Sequence, residues 1–350
     1  MLFRSQGYAG GNPFPAALSL NAASKFNTFS AWATYPADIK PTVLQQWNVG
    51  VQRQATGWLL AASYLGNHTS HLWAGRNINP AVYLPGATTG NTNQRRTLYL
   101  QNPVEGQYFG AVSVLDDTGT ATYQGMLLSV QRRLRSNLSV LSNWTVSKCV
   151  TDYTNTQFSS ATTNMDPAHP ENDRGYCDQD RRQVINISGV IKTPVLQKWG
   201  LFGRIASDWQ VSPLVRWTSG GHSTPVTGVD TALTGAANQR ALQILDNPYG
   251  DGTPGNYVNP AAFAAPAAGT YSAVHPGSID NPSLLINDMA LSRTLRFGAG
   301  RTMQLRWEVF NVVNRVNLGA PIVDLNSANF GKIITAGDPR IMQFAVKFDF

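Results

Sequence analysis

The last twelve residues of the chain constrain its fold more than any other segment. From Pro339 to Phe350, apolar side chains occupy every second position, with polar or small residues between them. A period of two residues indicates a β-strand with one apolar and one polar face. The apolar positions are Met342, Phe344, Val346, Phe348 and Phe350. Three aromatic residues on one face, continuing to the terminal residue, are unusual in a soluble protein, whose last residues tend to fray.

Two interpretations of this strand are open. It resembles the closing strand of a bacterial outer-membrane β-barrel, in which the terminal aromatic residue also serves as the assembly signal. The five apolar side chains would then form an assembly strand that faces lipid. The alternative is the edge strand of a soluble β-sandwich.

The composition favours the barrel. A chain of 350 residues would by default form two or more domains, but a large barrel is an exception because its residues line a wall. Charged residues make up 13% of the chain, about half of the share that is usual in soluble proteins. No apolar run approaches the length of a membrane helix, and a closed barrel is the other structure that satisfies every backbone group in lipid.

The formal net charge of +7 raises the question of nucleic-acid binding. Lys and Arg are scattered, with no block of five or more, so the charge pattern argues against that class of function. The basic doublets are interpreted as charges of strand ends and loops. They are Arg95-Arg96, Arg132-Arg133 and Arg181-Arg182.

Alternation with a period of two recurs along the chain and predicts roughly ten strands, many near the length that crosses a bilayer at a tilt. Besides the last strand, the clearest segments are 43–53, 58–65, 124–134, 138–147, 184–193, 209–217, 284–297 and 303–309. Tryptophans fall on or beside them, as expected either for the interfacial girdle of a barrel or for the core of a sandwich. These are Trp47, Trp58, Trp144, Trp209, Trp217 and Trp307.

The connections between these strands are of two kinds. Short turns near 54–57, 135–137 and 298–300 alternate with long aperiodic stretches. The long stretches are 66–106, 148–182, 218–283 and 314–338. Short turns on one side and long loops on the other are typical of outer-membrane barrels, whereas a soluble sandwich seldom carries a loop as long as the third stretch.

Eight short segments from about residue 42 onwards carry a family resemblance through their order and spacing. They are 45–54 (QQWNVGVQRQ), 62–66 (ASYLG), 143–149 (NWTVSKC), 177–188 (CDQDRRQVINIS), 259–263 (NPAAF), 288–293 (DMALSR), 305–314 (LRWEVFNVVN) and 330–350 (FGKIITAGDPRIMQFAVKFDF). Together they resemble the C-terminal barrel region of TonB-dependent outer-membrane receptors, specifically the Oar-like group.

The resemblance implies an outer-membrane location and a plugged barrel of about 22 strands. It also implies uptake of a bulky ligand, driven by the inner-membrane TonB complex, and assembly by the barrel-assembly machinery. The family's signal sequence, carboxypeptidase-regulatory-like domain, plug and about half of its strands have no counterpart here. We therefore expect the C-terminal part of a longer receptor, a partial antiparallel transmembrane β-barrel of about ten to twelve strands. Residues 1–41 would be an extracellular loop remnant, and residues 42–350 the barrel wall.

The two cysteines of the chain, Cys149 and Cys177, both fall in the long stretch 148–182. An even number of cysteines in an exported protein favours a disulfide between them. Two free thiols are the alternative.

The same stretch is rich in oxygen ligands that could hold Ca²⁺, but their spacing matches no known loop motif. They are Asp166, Glu171, Asp173, Asp178 and Asp180, with His169 nearby. Solvated loop carboxylates explain the pattern as well, and we predict no metal site. Four other histidines, His68, His71, His222 and His275, are expected in long loops without a metal motif.

No residue set in the sequence supports catalysis or a cofactor, because nucleophile, phosphate-binding and dinucleotide motifs are missing. The polar alternates Gln304, Arg306 and Glu308 are predicted to face the barrel lumen. The sequence therefore predicts ligand recognition and transport by a receptor. The alternatives are an unplugged porin-like or adhesin-like barrel and a secreted carbohydrate-binding sandwich.

Overall fold

The computed structural model describes residues 27–132, 137–152, 165–166, 169–194, 200–236, 239–297 and 300–350. Most of the stretch interpreted as a loop remnant, residues 1–26, lies outside the described residues. So do parts of two predicted turns, at 135–136 and 298–299.

The described residues contain seventeen strands and three short α-helices. The strands are β1 Ser30–Thr34, β2 Val43–Ala55, β3 Trp58–Asn77, β4 Phe109–Arg132, β5 Leu138–Thr151, β6 Gly175–Tyr176, β7 Gln183–Lys192, β8 Trp209–Thr218, β9 His222–Ser223, β10 Leu242–Gln243, β11 Tyr249–Thr253, β12 Asn256–Val258, β13 Phe263–Ala264, β14 Ile279–Asp280, β15 Leu284–Phe297, β16 Arg301–Phe310 and β17 Ile341–Asp349. The helices are α1 Thr97–Gln101, α2 Pro103–Gly106 and α3 Gly200–Ala206. Single 3₁₀ turns cover Thr89–Asn91, Asn93–Arg95, Pro170–Asp173 and Pro260–Ala262.

One sheet of eleven strands dominates the fold. Its path is β17-β16-β15-β8-β7-β5-β4-β3-β2, and every neighbouring pair along it is antiparallel. The short β6 adds to β5, and β1 runs parallel to β4. The prediction of ten to twelve antiparallel strands is therefore confirmed, with β1 as a parallel exception.

Tight turns join strands at one end of this sheet. Between β2 and β3 the chain reverses through Thr56 and Gly57, whose φ angles of 49° and 84° are both positive. Two central residues with positive φ define the two-residue hairpin turn that matches the twist of its strands. Glycine suits the second position because it has no Cβ to resist this conformation.

The pairing register divides the sheet into an apolar and a polar face, because directly paired residues project to the same side. One apolar row crosses seven strands through Val51, Ala62, Leu128, Trp144, Ile185, Trp217 and Leu285. The next row, shifted by one residue, is Gln52, Ala61, Ser129, Asn143, Asn186, Arg216 and Ile286. The six tryptophans singled out in the sequence all occupy positions of the apolar face.

Two strands are much longer than predicted. The alternating pattern stops near Leu65, yet β3 continues to Asn77, and β4 begins at Phe109, well before residue 124. The register slips between Thr69 and Leu72, and apolar residues of the extensions stand next to each other, as in Leu72-Trp73 and Val114-Leu115. Without regular alternation a strand shows no period of two, and this explains why the sequence pattern ended early.

The long connections pack together at the other end of the sheet around a core of their own, which we call the loop cap. Its buried side chains are Ala241, Val258, Ala262, Phe263, Ile279 and Phe330. The rings of Phe263 and Phe330 meet edge to face with centroids 5.9 Å apart. The cap also contains the two-stranded ribbons β10–β13, β11–β12 and β9–β14. None of the helices in the described segments has the length and hydropathy needed to cross a bilayer.

Candidate functional site

A groove lies on the polar face where β7, β8, β15 and β16 run side by side. Its volume is about 360 Å³, and its lining combines polar side chains with a larger apolar area that includes Leu214, Ala290 and Phe310. The lining side chains that carry charge or a hydroxyl are Ser188, Ser212, Asp288, Arg306 and Glu308. One cation and two carboxylates in one groove provide donors and acceptors for a polar partner.

The polar residues predicted for the lumen lie along this face. Arg306 forms an ion pair with Glu308 two residues later on β16, and the amide of Gln343 on β17 donates a hydrogen bond to the same carboxylate. Gln304 occupies the same face, paired with Lys347. This row of polar groups joins the last two strands on one side of the sheet, opposite to the apolar side.

The predicted assembly strand corresponds to β17, followed directly by Phe350. Its apolar side chains are exposed, from 50% at Met342 to 78% at Phe344 and 99% at Phe350. The rings of Phe348 and Phe350 lie nearly parallel with centroids 6.2 Å apart. These aromatic groups form an apolar edge that is at least half exposed.

The structure places a disulfide between Cys149 and Cys177, with the Cα atoms 5.4 Å apart. Cys149 lies on β5, which extends to Thr151, so the predicted loop begins later than expected. The backbone N–H of Cys177 donates to the carbonyl of Cys149 at 3.2 Å. The carboxylate of Asp180 accepts the N–H of Cys149 at 2.6 Å. The disulfide is thus part of a hydrogen-bonded corner where the wall meets the cap.

His222 lies buried beside this corner, between two carboxylates. Its Nε2 atom is 3.0 Å from Asp180 and its Nδ1 atom is 2.8 Å from Asp280. The imidazole also stacks on Tyr176, with ring centroids 4.0 Å apart. These contacts fix the ring and connect three separate loop segments. Sequence reasoning missed the cluster, because Asp180 and Asp280 are 42 and 58 residues away from His222 in the chain and the three match no motif.

The acidic residues of the stretch 148–182 have individual partners. Asp166 accepts a hydrogen bond from His169 at 2.8 Å, and this bond raises the pKa of the imidazole. Asp173 forms a buried ion pair with Arg240 and accepts the N–H of Met165 at 2.9 Å. Burial nevertheless raises the pKa of the Asp173 carboxyl, and the guanidinium opposes that rise.

Burial also raises the pKa of the Asp178 carboxyl. The backbone carbonyl of Glu171 accepts the N–H of Arg174 at 3.3 Å. Within the described part of the chain, no three His, Cys, Asp or Glu side chains come together as metal ligands.

Two arginines hold the first long loop in place. Arg95 donates to the carbonyls of Val82 and Thr88 at 2.6 and 3.0 Å. Arg96 donates to the carbonyl of Asn79 at 2.8 Å, and its burial lowers the pKa of the guanidinium. This doublet therefore anchors loop backbone from the inside, which its sequence alone did not indicate.

The histidines were expected in long loops, and two of them lie elsewhere. His68 and His71 are on β3, because that strand is longer than predicted. The Nδ1 atom of His68 is 3.2 Å from the hydroxyl of Thr122 on β4. Both positions are part of the strand extension.

Residues 4–343 match the family model described as outer membrane beta barrel domain. The chain belongs to this family. This outer-membrane β-barrel protein is therefore located in the bacterial outer membrane. In barrels of this kind the apolar face of the wall contacts lipid and the polar face lines the lumen. Family membership rules out the soluble sandwich, and the six tryptophans lie on the apolar face of the wall.

Several solved structures resemble the barrel chain. The outer membrane transporter YddB from Escherichia coli aligns with a TM-score of 0.49 at 10% identity, over 90% of this chain and 33% of that one. The FrpB iron transporter from Neisseria meningitidis gives a TM-score of 0.42 at 12% identity, over 90% and 32%. The ferripyoverdine receptor of Pseudomonas aeruginosa aligns with a TM-score of 0.42 at 12% identity, over 89% of this chain and 28% of that one. The chain thus spans about a third of the length of these proteins. No curated protein sequence matches it.

Proposed function

We propose that this chain is the C-terminal part of the barrel of a TonB-dependent outer-membrane receptor of the Oar-like group. Its role is ligand recognition by the loop cap and uptake through the completed barrel. The resemblance of eight ordered segments and the membership of the barrel family support this proposal. It includes no enzymatic activity and no cofactor.

The packed loop cap is the observation that carries the receptor proposal. Its apolar core, the ion pair of Asp173 with Arg240, and His222 between two carboxylates hold separate loop segments in one arrangement. A preorganised surface loses less conformational entropy when it binds a ligand. The cap is therefore suited to recognition, whereas a passive pore requires only an open mouth.

The groove beside Arg306 and Glu308 has a second role in this proposal. It faces the lumen, where a plug domain or a passing ligand would meet the wall. A hydrophilic plug surface needs hydrogen-bond partners wherever it is held out of water. Arg306, Glu308 and Gln343 supply donors and acceptors at that position.

The proposal also explains the two ends of the sheet. Among the described residues, β2 and β17 each pair on one side only. Open edges in lipid leave backbone groups without partners, which costs several kcal/mol per group. In the complete receptor these edges would pair with further strands, residues 42–350 would form wall and loops, and residues 1–41 would belong to an extracellular loop. The barrel-assembly machinery and the TonB complex would be its partners.

Single-channel conductance distinguishes a plugged receptor from an unplugged porin. The full protein, purified from outer membranes, would be inserted into planar bilayers. A plugged receptor remains closed in buffer and opens when urea at a few molar unfolds the plug, because the wall is more stable than the plug. Stable open channels in buffer without urea would overturn the receptor proposal and favour the porin alternative.

A further inference from the structure

The charges on the lipid-facing side of the wall have one sign. In the regular part of the wall, taken over the described residues, every charged side chain on this face is basic and none is acidic. Four of them lie near the end of the sheet with the tight turns, and one, Lys148, lies near the loop cap. The four are Arg53, Arg132, Arg293 and Arg301.

Acidic side chains of the same strands project the other way. Asp288, Glu308 and Asp349 occupy the alternate register positions and therefore face the lumen. The carboxylate nearest to the tight-turn end, Asp208, forms an ion pair with Arg296 at 3.0 Å. Arg296 is also a lumen-facing residue, because it is three residues from Arg293 on β15 and so lies on the opposite face. In the described strands of the regular wall, the carboxylates thus lie on the face opposite to these cations.

Two of these arginines each place the guanidinium group over the ring of a tryptophan on the neighbouring strand. Arg132 is paired across β3 and β4 with Trp58, and its guanidinium carbon is 5.1 Å from the ring centroid. Arg293 is paired across β15 and β8 with Trp209 at 5.2 Å. Each tryptophan begins a strand. An indole at the membrane interface orients the arginine, so that its charge stays at the headgroup level while the stem remains over the apolar ring.

Helix α3 adds an apolar surface next to the second pair. The indole N–H of Trp209 donates to the carbonyl of Ile205 at 2.7 Å, so this helix lies beside the ring. Three apolar side chains of the helix are strongly exposed: Leu201 at 74%, Phe202 at 65% and Ile205 at 55%. An exposed apolar helix beside an interfacial Trp-Arg pair is the arrangement of a segment that enters the membrane surface.

The tight-turn end is the periplasmic end of an outer-membrane barrel. We propose that the lipid face at this end is a binding surface for the anionic headgroups of phospholipids in the periplasmic leaflet. The Trp209–Arg293 pair with α3 is its most developed site, and the Trp58–Arg132 pair is a second one. Guanidinium groups bind phosphate through two parallel hydrogen bonds, and α3 contacts the acyl chains below the headgroup.

Lipid selectivity in a defined mixture tests this proposal. The full protein would be purified in detergent and incubated with equal amounts of phosphatidylglycerol and phosphatidylcholine, and the retained lipids counted by native mass spectrometry. We expect a preference for phosphatidylglycerol that falls about fivefold for each arginine removed in Arg132→Gln/Arg293→Gln. Arg132→Lys/Arg293→Lys should keep most of the preference because the charge remains.

A matched control removes the same charge from the lumen side. Lys192→Gln/Lys347→Gln should leave the preference unchanged, because both residues face the lumen near the same end. Folding of each variant is checked by the heat-dependent gel shift of a folded barrel. If Arg132→Gln/Arg293→Gln does not fold, Arg53→Gln/Arg301→Gln replaces it, because these two arginines also lie on the lipid face and the loss of their charge should lower the preference in the same way. Equal binding of both lipids by the wild type would overturn the proposal. So would an equal fall in the lumen-side control, since the effect would then be one of net charge only.

Discussion

The ring of Phe344 on the last strand lies parallel to the indole of Trp307 on the strand before it, with centroids 6.0 Å apart and 4° between the planes. The two residues are paired in the register, so the stack joins β16 and β17 on the apolar face. Aromatic stacks contribute about 0.5–1.5 kcal/mol beyond their buried area. We expect a coupling of that size in a double-mutant cycle of Phe344→Ala and Trp307→Ala, measured by urea unfolding of the protein in micelles.

The control for this cycle is Phe348→Ala. Phe348 shares the face and the strand, but it pairs with Met303 and stacks on Phe350 rather than on Trp307. Its effect should add to that of Trp307→Ala, as is usual for residues without direct contact. Additive effects for Phe344 as well would show that the stack does not connect the strands.

The terminal residue should determine how well the barrel is assembled. Phe350 is almost fully exposed and continues the aromatic face of β17. If it is part of the recognition signal, Phe350→Ser will reduce the amount of folded protein in the outer membrane several-fold. Asp349→Ser is the control, because it changes the adjacent residue on the opposite face. Equal outer-membrane levels of wild type and Phe350→Ser would contradict the assembly role.

Neighbouring residues on β16 should respond in opposite ways to the same substitution. Leu305 is on the apolar face, which we propose faces lipid, and Gln304 is on the polar face. An arginine on the lipid side of a barrel costs about 2–4 kcal/mol at the midplane and less near the interfaces. We expect Leu305→Arg to lower the free energy of unfolding by an amount in this range and Gln304→Arg to change it little, measured by denaturant titration in lipid vesicles. A larger loss of stability for Gln304→Arg than for Leu305→Arg would contradict the assignment of the two faces.

The wall of the barrel could be predicted from the sequence because its signal is local. Each strand has lipid on one side and polar surroundings on the other, so a period of two appears within any ten residues. β15 was predicted to the residue, and β7 and β8 to within one. The same reasoning failed beyond Leu65, where β3 continues through a shift of register without regular alternation.

The loop cap could not be predicted, because its contacts join residues that are distant in the chain. His222 meets Asp180 and Asp280, and Arg240 meets Asp173 across 67 residues. Loop segments carry no periodicity, and a lone histidine or arginine gives no sign of its partner. The two cysteines were the exception, since their number alone limits the possible pairing.

The pKa of His169 should depend on Asp166. The hydrogen bond from the His169 ring to Asp166 raises this pKa, the charge of Asp166 adds to the rise, and Glu171 makes a smaller electrostatic contribution. A raised pKa means that the folded state prefers the protonated imidazole. The contribution to stability is therefore complete below the pKa of the unfolded chain and disappears as the pH rises through that of the folded protein.

NMR titration of the His169 ring would measure the effect. We expect Asp166→Asn to move the midpoint downward and Glu171→Gln to move it in the same direction by less. The two variants compare the direct contact with Asp166 with the weaker charge effect of Glu171. A midpoint that stays constant in Asp166→Asn would contradict the contact.

Removal of the disulfide should loosen the loop cap and leave the wall intact. The bond closes a segment of 28 residues, and a loop of this size corresponds to about 3 kcal/mol in the chain-entropy description. Cys149→Ser/Cys177→Ser should therefore speed amide exchange at Cys177 and Asp180, whose N–H groups bond within this corner. Amides of β15, far from the corner, serve as the internal control and should exchange as in the wild type. Unchanged protection at residues 177 and 180 would contradict this prediction. It would show that the noncovalent contacts of Asp180, His222 and Tyr176 hold the corner without the disulfide.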